Sequence, residues 1–391
     1  MGIIRSLSCS WPTTKLRPSV VAAIAFATLA SGAAACGSGN PEGAVADPDP
    51  EVCGANWQII YSPRQAVLDL LPSVMKWHDG RIYVARSYVD SGIISLPDTG
   101  GEPSTIYDGY AINFWIEGDR ILHVSSGQPR LVDGFNIAPT LLYSTPITGG
   151  TPEVVIETHI WDKFVDQLVE GFSLDGQALY WLREDGDGWG AWRAGRDGSG
   201  DVKLGSLPGP STFFDTSVLV PDRLIAYYAG PYAGSSLLSV PKSGGEVTPL
   251  PVSFGETVIG VLSDGSVLVQ DIITGGNGQK RSDHYGMQRL PLGATELEPF
   301  WVDKPPPAYA IAGWDDPGRG SLLSVWEWGT DDALHTTIWA LDRDGRGTRI
   351  ACDPVAGSRV RVAAVSPDAI FLLVENLHET TSYWQVARIP R

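Results

Sequence analysis

Basic residues are scarce in this chain: 28 lysines and arginines stand against 45 aspartates and glutamates, a formal net charge of −17. No basic stripe is present to neutralise phosphates, which argues against nucleic acid as a partner. Cysteine is scarce too. The four cysteines, Cys9, Cys36, Cys53 and Cys352, form no Cys-x-x-Cys pair, so neither a zinc ribbon nor a dithiol redox motif is written here. Gly-x-Ser-x-Gly, His-Glu-x-x-His and P-loop signatures are missing, and with them the best-marked hydrolase, metalloprotease and nucleotide chemistries. Asp197-Gly198-Ser199-Gly200-Asp201 has the start of a calcium loop, but it lacks the bidentate Glu that completes one and coincides with a repeated turn. Beyond residue 56 no apolar run approaches the roughly 20 residues of a membrane helix.

What the chain has in abundance is turns. Its 45 glycines and 29 prolines punctuate extended apolar stretches, and seven of these run into a turn at Pro97, Pro146, Gly195, Pro241, Pro291, Asp342 and Pro390. The intervals are 49, 49, 46, 50, 51 and 48 residues, a period that marks a repeat architecture. Counting back from the turn, the position four before holds Ile93, Leu142, Ala191, Leu237, Met287, Ile338 and Val386, which are apolar. Two before stand Ser95, Ser144, Arg193, Ser239, Arg289, Ala340 and Arg388, which are polar or small. Such columns describe a strand with two unlike faces. Three turns share a Gly-Gly pair (Gly100-Gly101, Gly149-Gly150, Gly244-Gly245), where glycine supplies the positive φ of a tight hairpin.

Each unit adds a strand after its turn and a hairpin before it, for example Val74–Trp77 with Arg81–Val84. Four strands per period is the blade of a β-propeller. The fold expected is therefore all-β: one closed propeller of seven four-stranded blades. Six is the alternative if the irregular stretch from Pro305 to Trp328 is an insertion. The seventh unit stops after its third strand, and the orphan strand Trp57–Ser62 can complete it, pairing the two ends of the chain.

The first residues follow different rules. Arg5, Lys15 and Arg17 precede an apolar stretch from Ser19 to Leu29, and Ala33-Ala34-Ala35 leads to Cys36, the layout of an export signal. Residues 1–35 are read as a signal peptide, 36–55 as an acidic spacer and 56–391 as the propeller. Removing residues 1–36 takes away three basic and no acidic residues, moving the net charge from −17 to −20. Cys53 and Cys352 are then the only cysteines of the body, and in an oxidising compartment a disulfide between them is expected.

Propeller loops joining second to third strands share one rim with the crossings between blades. Several are long here, from Ser125 to Thr140, Arg183 to Gly190, Asp271 to Tyr285, Trp328 to Thr336 and Glu375 to Ser382. This register places His284, His335 and His378 on that rim in consecutive blades, with His159 on a crossing. Asp283, Asp331, Asp332 and Glu379 lie beside them. Histidines with carboxylates could hold a divalent metal, the one cofactor the rim admits, or a cationic ligand. Solvated loop polarity explains the same residues without a site.

Around Cys36 the chain resembles bacterial lipoproteins, with Ala33-Ala34-Ala35-Cys36-Gly37-Ser38-Gly39 in the place of a lipobox and tether. That resemblance implies diacylation of Cys36 and an outer-membrane anchor. Cleavage after Ala35, giving a soluble periplasmic or secreted protein, is the competing reading. Through Asp79-Gly80-Arg81-Ile82-Tyr83-Val84 and Gly92–Pro97 with Gly100-Gly101, and their later copies, the body resembles TolB-like propellers. The resemblance implies a cell-envelope protein that binds a protein, peptide or small ligand on a propeller face, and it carries over no catalytic residue; the chain is expected to be a monomer. The other reading is an exported glycoside hydrolase or polysaccharide lyase using the rim histidines and carboxylates.

Overall fold

The structure is a computed structural model. It describes residues 57–63, 72–86, 92–111, 113–126, 130–132, 135–137, 140–158, 173–185, 188–207, 214–230, 234–250, 256–262, 264–271, 287–294, 296–301, 308–316, 318–328, 334–352, 358–377 and 382–391. Strand β1 (Gln58–Tyr61) stands apart in sequence from the blade it joins. Blade one is β2 (Pro72–His78), β3 (Arg81–Arg86), β4 (Gly92–Pro97) and β5 (Ser104–Tyr107). Blade two is β6 (Asn113–Glu117), β7 (Arg120–Ser126), β10 (Thr140–Pro146) and β11 (Glu153–Thr158), with a small hairpin of β8 (Arg130–Val132) and β9 (Phe135–Ile137) inserted. Blade three is β12 (Ser173–Leu174), β13 (Ala178–Asp185), β14 (Gly188–Gly195) and β15 (Val202–Leu207). Blade four is β16 (Phe214–Leu219), β17 (Arg223–Gly230), β18 (Gly234–Pro241) and β19 (Thr248–Pro249). Blade five is β20 (Glu256–Val261), β21 (Val267–Asp271), β22 (Met287–Leu290) and β23 (Glu298–Pro299). Blade six is β24 (Ala308–Asp316), β25 (Gly320–Trp328), β26 (Leu334–Leu341) and β27 (Gly347–Cys352). Blade seven is β28 (Ser358–Val365), β29 (Ala369–Leu377) and β30 (Ser382–Pro390), with β1 as its fourth strand.

Seven blades are thus present, and the stretch from Pro305 to Trp328 supplies the inner hairpin of blade six. The ring closes as the sequence leads one to expect. β1 pairs antiparallel with β30 through Gln58↔Arg388, Ile59↔Ala387 and Tyr61↔Val386. Ile60 is buried beneath it, the Tyr61 and Trp384 rings meet with centroids 5.3 Å apart, and Gln385 donates to the Ser62 hydroxyl. The core lies between blades rather than within them. One cluster joins Leu96 and Val84 of blade one to Phe371 and Trp384 of blade seven, and another joins Leu322 and Ala351 of blade six to Val362 and Leu372 of blade seven.

The turn between third and fourth strands is the same in six blades despite unlike sequences. In each, the amide three residues on donates to the carbonyl of the turn position: Gly100 to Pro97, Gly149 to Pro146, Gly198 to Gly195, Gly244 to Pro241, Ala294 to Pro291 and Gly345 to Asp342. In blades one, two and three its glycine also lets the blade approach the one before it. A Cβ on Gly100 would stand 3.2 Å from the Ile60 carbonyl oxygen, one on Gly149 3.3 Å from that of Thr105, and one on Gly198 2.6 Å from Ile156 Cγ1.

Two rims follow from this topology. The turns just described and the hairpins joining first to second strands form the lower rim. Connections from second to third strand, and crossings between blades, form the upper rim.

Candidate functional site

In blades three, six and seven the upper-rim connections are shorter than the sequence suggests, because the flanking strands keep pairing. The expected loop from Arg183 to Gly190 is mostly ladder: Arg183↔Gly190, Glu184↔Trp189 and Asp185↔Gly188 are all paired. Likewise Glu327 pairs with His335 and Trp328 with Leu334, and in blade seven Asn376 pairs with Tyr383 and Leu377 with Ser382. Each added rung satisfies backbone groups that a loop would leave to water. The ladder around Trp189 is further fixed by packing against the core shared by blades three and four.

His335 is therefore the second residue of β26, partly exposed, where a loop residue was expected. His159, His284, His378, Asp283, Asp331, Asp332, Glu379, Cys36 and Cys53 lie outside the described residues. Among the described residues no group of three or more His, Cys, Asp or Glu side chains is arranged to hold a metal ion. Cys352 closes β27, fully buried and disulfide-bonded.

Below that rim the inner strands carry two charges of different character. Arg361 on β28 reaches across the joint between blades seven and one to the Pro72 carbonyl (2.8 Å) and pairs with the buried Glu375 carboxylate (3.3 Å). Lys76 on β2 projects toward blade two instead, with its ammonium 5.8 Å from the centroids of both the Phe114 and Trp115 rings. Burial pulls this amine down from 10.5 to about 8. Aromatic faces return part of that desolvation, since ring quadrupoles attract a cation.

Lower-rim charges are spent on joints between blades. The residue directly after the turn is basic in blades three, four, six and seven, and in blades three, four and seven it reaches back to an acid on the inner hairpin of the preceding blade. Arg196 pairs with Glu117, Lys242 with Asp175 at 2.8 Å, and Arg391 with Asp316. Burial alone would raise the Asp175 carboxyl, but the Lys242 bond and the amides of Gln177 and Ala178 outweigh it and hold the carboxyl below its ordinary range. Lys242 also stands 5.4 Å over the Tyr180 ring. Burial foremost, with the Asp175 charge, pushes that phenol up to about 12. This column of bases was open to sequence reading, as Arg196, Lys242, Arg343 and Arg391 occupy one repeat position, yet nothing in the sequence names their acidic partners.

The seam between blades one and two holds a polar cluster that no motif announces. His123 on β7 has no exposed surface; its Nε2 lies 2.9 Å from the Thr145 hydroxyl, and its ring is flanked by Tyr107 (4.1 Å) and Tyr143 (5.4 Å). Ser125 Oγ lies 3.4 Å from the Tyr107 hydroxyl and donates to the Tyr110 carbonyl. Burial lowers the imidazole from 6.5 to about 4, so it is neutral at physiological pH.

No protein-family model and no curated protein matches the sequence. Solved structures with similar folds are numerous. A prolyl endopeptidase aligns with a TM-score of 0.53 at 13% identity, covering 85% of this chain and 51% of that one. The β-propeller domain of the Trilobed protease from Pyrococcus furiosus, described as having an open velcro topology, aligns with a TM-score of 0.51 at 11% identity, covering 81% and 95%. TolB from Acinetobacter baumannii is also among them, at 9% identity with a TM-score of 0.39, covering 81% and 78%. This chain spans about half of the endopeptidase. What it shares with the first two is the propeller fold.

Proposed function

We propose that this chain is an exported binding propeller, held to a membrane by a diacylated Cys36, which engages an envelope protein, a peptide or a small ligand through its upper rim without catalysing a reaction. The observation that carries the reading is the division of labour between the rims. Arg196–Glu117, Lys242–Asp175 and Arg391–Asp316 tie lower-rim charges into three blade joints, and the turn glycines of blades one, two and three press each of those blades onto the one before it. A lower rim committed to cohesion leaves recognition to the upper one, where chain length and composition vary freely from blade to blade. The resemblance around Cys36 and the acidic spacer of residues 36–55 support export and anchoring.

Two measurements test the two halves. Intact mass of the protein taken from membranes should show a mature chain that begins at diacylated Cys36, and Cys36→Ser should release the protein into the soluble fraction. A chain cleaved after Ala35 with an unmodified Cys36 would remove the anchor. Capture from solubilised envelope should return the same bound species with wild type and with a lower-turn variant, and lose it with alanines at His284, His335 and His378 together. Turnover of a glycan by the purified protein, abolished by those alanines, would replace binding with catalysis.

A further inference from the structure

We infer that Cys352 is cross-linked to Cys53, and that this bond is a latch holding the closing strand in the ring. Cys352 is the last residue of β27, fully buried and disulfide-bonded, and its partner lies outside the described residues. Only Cys9, Cys36 and Cys53 can fill that role. The start of the closing strand is already beside it. Trp57 packs against the cluster that contains Ile338, Val360 and Ala351, the residue just before Cys352. Four residues of chain reach at most about 13 to 14 Å, so Cys53 is tethered near the end of β27 by Trp57 alone. Cys36 and Cys9 precede Trp57 by 21 and 48 residues, and the first is the residue proposed above to be acylated.

The position of β1 gives the bond its consequence. The strand is four residues long and its burial falls chiefly on Ile60. Yet two joints depend on it: it completes blade seven through β30, and the Gly100 turn of blade one seats directly on Ile60. A strand with so small a buried face has little affinity of its own. Tethering one end converts its docking into an intramolecular event at high effective concentration. Losing it would open the ring and expose the edge of β30, an unpaired row of backbone donors and acceptors.

Formation of the latch balances simply. One thiol loses its proton and, as thiolate, attacks a disulfide oxidant such as oxidised glutathione, releasing one thiol. The second thiolate then resolves the mixed disulfide and releases the other. Two thiols of this chain are oxidised and one oxidant disulfide is reduced. The reaction belongs to an oxidising compartment, so the ring would lock only after export.

Peptide mapping of the full chain under non-reducing conditions should yield one linked pair containing Cys53 and Cys352. A link from Cys352 to Cys36 or to Cys9 would overturn the assignment. Hydrogen exchange before and after reduction reads the latch function. The account expects amides of Gln58–Tyr61 and their β30 partners Val386–Arg388 to exchange on the order of tenfold faster once reduced, with the β13–β14 ladder unchanged. Unchanged exchange in β1, or uniform acceleration throughout the chain, would reduce the bond to a bystander or a general staple. Cys53→Ser, which leaves the buried Cys352 site intact, should reproduce the reduced pattern without reductant. If it exchanges like oxidised wild type, the latch is refuted.

Discussion

His123 makes the joint between blades one and two sensitive to acid. Its folded pKa of about 4 lies below the 6.5 of an exposed imidazole, so between those values the unfolded chain binds the proton and the folded one does not. Stability is therefore complete above about pH 6.5 and falls as pH drops toward 4. The rings packed against the imidazole are those of Tyr107 and Tyr143, and neither brings a carboxylate to an imidazolium. Urea denaturation at pH 7 and pH 5 should show wild type losing about 2 kcal/mol more than His123→Gln, the linkage expected for a shift of this size. Equal losses would mean that the ring is hydrated and titrates freely. Lys76 behaves in the opposite range. Its folded pKa of about 8 lies below the usual 10.5, so a penalty is fully present below pH 8 and disappears as pH rises through 10.5. Lys76→Met should raise stability at pH 7 by about 1 to 3 kcal/mol, the desolvation released less the cation–ring attraction. The advantage should vanish above pH 10.5. A variant less stable than wild type at pH 7 would show that the ammonium has an anionic partner.

At the scale of elements, the recurrent turn is both a hairpin and a hinge pin. Gly198 has φ +77°, and a Cβ there would stand 2.6 Å from Ile156 Cγ1 and 3.0 Å from the Val155 carbonyl oxygen of the preceding blade. Gly118 has φ +57° and nothing within 4 Å. Both Gly→Ala changes strain the backbone, at about 1 kcal/mol, but only Gly198→Ala also forces two blades apart. Thermal denaturation should rank Gly198→Ala well below Gly118→Ala, by an additional 1 to 3 kcal/mol or so; equal effects would refute the close-packed joint. The Arg391–Asp316 pair gives a second test, because both side chains are nearly buried, at 7% and 6% exposure. Arg391→Met leaves a carboxylate without its cation and should cost about 3 to 5 kcal/mol, while the double change with Asp316→Leu should recover most of it. How much of this was legible depends on what repeats. The turn column could be read because its hydrogen bond recurs in six blades. The polar column two residues before it could be read as polar but not as paired. The structure shows why it alternates: Ser95, Ser144 and Ser239 each receive an arginine from the second strand, Arg81, Arg120 and Arg223. In blades three, five and seven the arginine stands on the third strand itself, at Arg193, Arg289 and Arg388, and the second strand carries none at the facing turn rung. The closeness of Gly260 to Gly313, where a Cβ would meet backbone oxygen at 2.3 Å, was illegible because it joins the inner strands of blades five and six alone. That His335 lies in β26 rather than in a loop was illegible for a related reason: no repeat marks where a ladder stops.

For the whole molecule, the topology puts the turns and joint ion pairs on one rim and the variable connections on the other. The ring is closed by β1 and β30, its lower rim is stitched by turns and ion pairs, and its upper rim carries the connections that differ most between blades. With a formal net charge of −17, copies of this chain carry like-signed surfaces that repel one another. Recognition through the upper rim is the central claim, and site-specific photo-crosslinking in the producing cell tests it most directly. A photoreactive residue placed at His335 or Ser382, at the upper-rim ends of β26 and β30, should form a discrete adduct, while the same residue at Asp119 or Asp344 on the lower rim should form none. Adducts from the lower rim with none from the upper would contradict the account.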